Sequence, residues 1–97
     1  DLAVAIFAVI ESPEWHAGVY HFTNEGVCSW YDFTHEIFAR AHITGCALRP
    51  ILSSEYQYQT PRPHFSVLDK SKIKHTFGIA IPHWTESLQV CLEQLLK

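Results

Sequence analysis

The stretch from Gly18 to Ala41 constrains this chain most, because its residue types impose one local order. Val19-Tyr20-His21-Phe22-Thr23 is β-branched or aromatic apart from His21, which suits a pleated, half-buried strand. Asn24-Glu25-Gly26 follows with turn chemistry, since asparagine and glycine both accept positive φ. Ser29 stands where a helix N-cap belongs, and Asp32, three residues on, supplies a weaker form of the capping box. Trp30, Phe33, Ile37, Phe38 and Ala41 recur at helical spacing and give the helix an apolar face. The segment predicts strand, tight turn and capped amphipathic helix, a unit that seeks a sheet and does no chemistry itself.

The rest of the chain fits around that unit. Asp1 is placed to cap a first helix whose stripe is Leu2, Ile6, Val9 and Ile10, kept slim by Ala3, Ala5 and Ala8 and ended by Ser12-Pro13-Glu14. Gly45 reads as the stop of the second helix. Ala47–Leu52 reads as a second strand with Pro50 near its end, and Ser53-Ser54-Glu55 as a single helical turn. Gln57–Pro63 is polar and proline-bearing, hence an extended loop, and Phe65–Leu68 has the composition of a short strand. Asp69 precedes Lys70–Phe77, a short basic helix stopped by Gly78. Beyond Pro82, Trp84, Leu88, Cys91, Leu92 and Leu95 form the stripe of a last helix. Four helices and two or three short strands make an α/β pattern, or α+β for an isolated piece.

Length and charge narrow the function. The chain has 97 residues, enough for one small domain, and a net charge of −3 that gives no reason to expect nucleic acid. No apolar run is long enough for a bilayer, so no membrane partner is expected. Cys28, Cys46 and Cys91 are odd in number and form no C-x-x-C pair, which predicts three reduced, partly buried thiols and a cytoplasmic setting. The opening at Asp1 without methionine suggests a piece of a longer protein.

Seven histidines raise the question of a metal. His35-Glu36 begins like H-E-x-x-H, but Ala39 stands where the second histidine belongs, and no other histidine has a ligand at the right spacing. There is no G-x-S-x-G nucleophile, and the four dispersed glycines cannot supply G-x-G-x-x-G. What remains is Pro61-Arg62-Pro63-His64-Phe65-Ser66. Prolines on both sides hold Arg62 in extended backbone, and a guanidinium presented in that way suits phosphate oxygens. The alternatives for Arg62 are packing on Tyr58 or pairing with Glu55. Ser66 and Asp69 read as structural, and Trp15, Trp30 and Trp84 as packing anchors at helix ends.

GVYHFTNEGVCSWYDF, then PRPHFSVLDKSKIKHTFGI, then PHWTESL resemble, in order and spacing, the C-terminal third of dTDP-4-dehydrorhamnose reductases, members of the extended short-chain dehydrogenases. The resemblance covers nearly the whole chain. It implies a single C-terminal substrate-binding domain over residues 1–97 whose N-terminal Rossmann domain is absent here. It also implies a parent enzyme that reduces dTDP-4-dehydro-L-rhamnose for cell-surface polysaccharide. NADPH or NADH, with the family's Tyr-x-x-x-Lys pair, would lie on that N-terminal domain, so no cofactor is expected on this chain and no catalysis from it alone. The implied substrate contacts are Arg62 to the diphosphate of a dTDP-sugar, with Pro63 and Tyr58 beside it. Tyr56 and Tyr58 either stack on the thymine or simply pack. Where the family resembles Tyr-Pro-Thr-Pro, this chain has Tyr56-Gln57-Tyr58-Gln59, and losing two prolines loosens the loop. An unpaired strand at Val19–Thr23 would also predict a homodimer of the separate chain. The rival readings are a non-catalytic, reductase-like regulatory subunit and another nucleotide-sugar reductase or epimerase.

Overall fold

A computed structural model describes residues 1–97 as four α-helices: α1 (Leu2–Ile10), α2 (Trp30–Arg40), α3 (Ser71–Phe77) and α4 (Trp84–Leu95). A 3₁₀ turn at Ser53–Glu55 lies between α2 and α3. The chain divides into two compact units, one formed by residues 1–26 and 67–87, the other by residues 27–66 and 88–97.

The expected α/β class, or α+β with two or three strands, is overturned: the chain forms no strand. Val19–Thr23, Ala47–Leu52 and Phe65–Leu68 all lie outside regular structure. A strand exists through its ladder, and β-propensity without a partner reports only a fit to a pleated surface. The one β-type contact is an isolated parallel bridge between Glu25 and His83. There Glu25 N–H donates to the Pro82 carbonyl and Trp84 N–H to the Glu25 carbonyl, each at 3.0 Å. Within the expected first strand, the Val19 carbonyl accepts from Lys72 Nζ at 2.9 Å.

In the first unit the Asn24-Glu25-Gly26 turn joins three helices. The Asn24 amide reaches Asp1 Oδ2 at 2.6 Å, Ser87 Oγ at 2.9 Å and the Pro82 carbonyl at 3.3 Å. Ser87 Oγ donates to the same Asp1 carboxylate, so the start of α1 and the first turn of α4 share one amide. Asp1 thus stands at the N-cap position without capping the helix through its side chain. The Glu25 carboxylate pairs with Lys74 at 2.5 Å and Lys70 at 3.1 Å on and beside α3, which holds it below the usual glutamate range. Gly26 has φ +88, and a Cβ there would collide with the His83 ring and come within 2.8 Å of Trp84 Cδ1. His83 is itself held by Thr85 Oγ1 at 2.8 Å, so the ring does not yield freely. Ala5 of α1 and Ile73 of α3 are the buried side chains of this unit. Tyr20 packs on Phe77 at 5.2 Å with Lys72 over its other surroundings, 4.5 Å from the ring centroid.

α1 buries a small residue because every residue in it is apolar and no stripe is singled out by polarity. The expected stripe of Leu2, Ile6, Val9 and Ile10 is exposed. α3 begins at Ser71, one residue later than expected, and Asp69 still serves it by accepting from Ser71 N–H at 2.8 Å. Gly78 ends α3 at φ +63, as its position predicts.

The second unit holds α2 and most of α4. The capping box is complete: Ser29 Oγ accepts from Asp32 N–H at 3.0 Å, and the Asp32 carboxylate accepts from Ser29 N–H at 2.8 Å. The Ser29 hydroxyl also donates to this carboxylate at 2.8 Å, and the two donations from Ser29, backbone first, hold the Asp32 carboxyl below its usual range. α2 stops at Arg40, five residues before Gly45. The left-handed residue is His42, φ 55, with Ile43 N–H reaching back to the Phe38 carbonyl at 2.9 Å. That six-to-one bond closes the helix without a glycine. Arg40 pairs with Glu36 at 2.6 Å and Gln89 at 2.8 Å, and Leu88 and Leu92 of α4 are the buried pair.

Two outcomes follow for thermal melting. Gly26→Ala combines left-handed strain with overpacking and should cost about 2–4 kcal/mol. Gly78→Ala, where an added Cβ meets nothing within 4 Å, should cost only about 1 kcal/mol of backbone strain. Equal losses would remove the close-packing role of Gly26. The second concerns acid. Glu25 has a lowered folded pKa, so its contribution is present above the unfolded value and lost as pH falls below about 4.3. Glu25→Gln should lower Tm at neutral pH and flatten its decline between about pH 5 and 3.

Candidate functional site

The site lies within the second unit and is built from the first turn of α2 and the loop that follows the 3₁₀ turn. The capping box fixes the backbone at Trp30, the first helical residue. Thr34, one turn on, shares its face and donates from Oγ1 to the Trp30 carbonyl at 2.8 Å. The 3₁₀ turn is closed by the Glu55 carboxylate, which accepts from Leu52 N–H at 2.6 Å. Tyr56 and Tyr58 then lie against each other, ring centroids 4.7 Å apart and tilted by 54°. Past them the Pro61-Arg62-Pro63 segment turns Arg62 into the same space.

Trp30, Thr34, Tyr56, Tyr58, Arg62, Pro63 and Ser66 line a cleft of about 800 Å³. That is the size of an ordinary small-molecule site, which spans roughly 300–1,000 Å³. Arg62 carries the only formal charge in the lining. Arg62 enters no ion pair: those of the chain use His16, Arg40, Lys70 and Lys74, and the Glu55 carboxylate accepts instead from Leu52 N–H. The remaining lining is aromatic faces and hydroxyls. The cleft can bind and orient an anion joined to a flat ring, and its hydroxyls are those of Thr34, Tyr56, Tyr58 and Ser66.

All three residues singled out from the sequence, Arg62, Tyr58 and Pro63, meet in this cleft. Ser66, read as structural, lines it too. Sequence reasoning missed Trp30, taken for a packing anchor; it is 81% exposed. A signal was present. Helical side chains lean toward the N-terminus, so a tryptophan at the first helical position projects past the helix end rather than over a preceding turn.

Elsewhere the chemistry is sparse. No three His, Cys, Asp or Glu side chains converge to hold a metal. All three thiols are free, and at Cys28, exposed overall, partial burial and then the nearby Asp32 push the thiol up, away from thiolate reactivity.

Residues 1–97 match the family described as the RmlD substrate binding domain. The spore coat polysaccharide biosynthesis protein SpsK of Bacillus subtilis is 36% identical over 97% of this chain and 31% of its own length. A dTDP-4-dehydrorhamnose reductase of Burkholderia thailandensis is 34% identical over 84% of this chain and 30% of its own. A probable dTDP-4,6-dihydroxy-2-methyloxan-3-one 4-ketoreductase of Streptomyces antibioticus is 31% identical over 99% of this chain and 32% of its own. The chain therefore spans about a third of the length of these relatives. No solved structure matches it.

Proposed function

The chain belongs to the RmlD substrate-binding-domain family, and on that premise we propose that it is the substrate-binding portion of a dTDP-4-dehydrorhamnose reductase. The whole protein would reduce the C4 ketone of dTDP-4-dehydro-L-rhamnose with NADPH or NADH, for cell-surface polysaccharide in the cytoplasm. The observation that carries this reading is Arg62: an ion-pair-free guanidinium between two prolines, in a cleft of nucleotide-sugar size that holds no other charge. In this reading Arg62 takes the substrate's diphosphate, and Pro63 and Tyr58 shape the wall beside it. In this reading the hydride source and the family's catalytic tyrosine and lysine lie on the remainder of the protein. A second reading is favoured by the name of the Streptomyces relative: reduction of a different dTDP-linked 4-ketosugar by the same cleft.

The remainder of the protein also accounts for α1. Its sequence, LAVAIFAVI, is apolar on every side, yet Val4, Phe7 and Ile10 are more than three-fifths exposed. A helix of that kind normally lies inside a larger body. The chain as a whole leaves 8127 Å² accessible, where a self-contained monomer of its mass exposes roughly 5,700 Å². We assign the covering surface to the N-terminal dinucleotide-binding domain. Without that domain the same face is available for self-association of the separate chain, a route to a homodimer that needs no strand edge.

Two measurements test these assignments in the full-length protein. Arg62→Ala should raise KM for the dTDP-sugar about 10- to 100-fold with kcat little changed, as expected for loss of a charge-assisted contact made equally in ground and transition states. An unchanged KM would remove Arg62 from the site. Val4→Lys should lower Tm by several degrees if α1 is covered, whereas a substitution on open surface stays within about 0.5 kcal/mol.

A further inference from the structure

Among the aromatic residues of the cleft, one combines exposure with a rigid mount. Trp30 is 81% exposed, although a tryptophan is among the most costly side chains to leave in water. Its backbone is fixed by the reciprocal Ser29–Asp32 bonds and by the Thr34 hydroxyl on its carbonyl. Phe33 meets it at 82°, ring centroids 6.2 Å apart, an edge-to-face contact that steadies the indole while leaving most of it uncovered. The two tyrosines differ on both counts. They ride on a loop outside regular structure and already lie against each other. Trp84 is half-buried beside Gly26, and Trp15 does not line this cleft.

We propose that Trp30 is the stacking platform for the base of a nucleoside diphosphate whose phosphates are held by Arg62. This rests on the nucleotide-sugar reading of the cleft and goes beyond it by assigning the base end. A flat π-face and a cation lining one cleft match the two ends of such a ligand, a planar ring and a dianionic diphosphate. Because the indole is held before the ligand arrives, little side-chain entropy is lost on stacking, which is the advantage of a helix-borne platform over a loop-borne one. The remaining polar groups of the lining are the hydroxyls of Ser66, Tyr56 and Tyr58 and that of Thr34, whose proton goes to the Trp30 carbonyl. Tyr56 and Tyr58 then form a wall, packed on each other.

Calorimetric titration of the full-length protein with dTDP, thymidine and inorganic pyrophosphate separates the two ends. For Trp30→Ala we expect dTDP and thymidine affinity to fall about 5- to 100-fold, the range that stacking on an aromatic supplies, with pyrophosphate affinity unchanged. Trp30→Phe should recover most of the loss, and both variants should melt with the wild type because the side chain is exposed. Arg62→Ala should show the converse pattern, losing pyrophosphate and keeping thymidine. If wild type binds dTDP and Trp30→Ala binds it equally well, the platform assignment fails and the nucleotide-sugar reading stands. Loss of pyrophosphate binding together with thymidine in Trp30→Ala would make Trp30 a mere support of the cleft and overturn the proposal. If wild type binds none of the three ligands, the nucleotide-sugar reading falls, and the platform with it.

Discussion

A three-residue turn holds the first unit together. Asn24, Glu25 and Gly26 between them contact the start of α1, the length of α3 and the start of α4, and each does so by a different kind of force. Asn24 supplies hydrogen bonds from one amide to three acceptors. Glu25 supplies charge, and because the Lys70 side chain is only 10% exposed, that pair is less screened than an ordinary surface pair. Gly26 supplies absence, a missing Cβ that lets His83 and Trp84 close over the backbone. With only Ala5, Ile73, Leu88 and Leu92 buried in the whole chain, apolar burial alone offers little to fix the arrangement. Polar geometry carries an unusual share of the specification.

The second unit positions its site by separate means. One wall comes from a helix terminus fixed by a capping box, the other from a loop stiffened at Pro61 and Pro63 and soft before them. A wall fixed before a ligand arrives loses little entropy on binding, and both the capped helix end at Trp30 and the proline-flanked Arg62 are of that kind. The lining combines one guanidinium with aromatic faces and hydroxyls, a composition suited to binding. The chain belongs to the RmlD substrate-binding-domain family and spans about a third of the relatives' length.

Much of the local structure was legible in the residues, and the particular successes share a cause. Ser29 with Asp32, Gly78 after α3, the single turn at Ser53–Glu55 and the apolar repeat of α4 are signals decided within a few residues of where they act. The failures share a cause too. Val19–Thr23, Ala47–Leu52 and Phe65–Leu68 have strand composition but no ladder, because pairing is a property of two segments and neither composition nor alternation supplies the second. The end of α2 was misplaced because His42 accepts the left-handed turn that Gly45 was expected to make.

Helix starts, turns and the reach of the arginine loop are thus written locally, in caps, prolines and glycines whose effect extends over one or two bonds. Three things came only with the folded chain: the use of Asn24-Glu25-Gly26 as a junction, the burial of Ala5 in place of the larger residues of α1, and the opening of Trp30 into the cleft. Each depends on what residues far away in sequence place nearby — Ser87 and Pro82 for the turn, Ile73 with its neighbours for α1's unit, Arg62 and Ser66 for the tryptophan. Local propensity sets what a segment does alone, whereas burial and long-range hydrogen bonding depend on which partners the rest of the chain delivers.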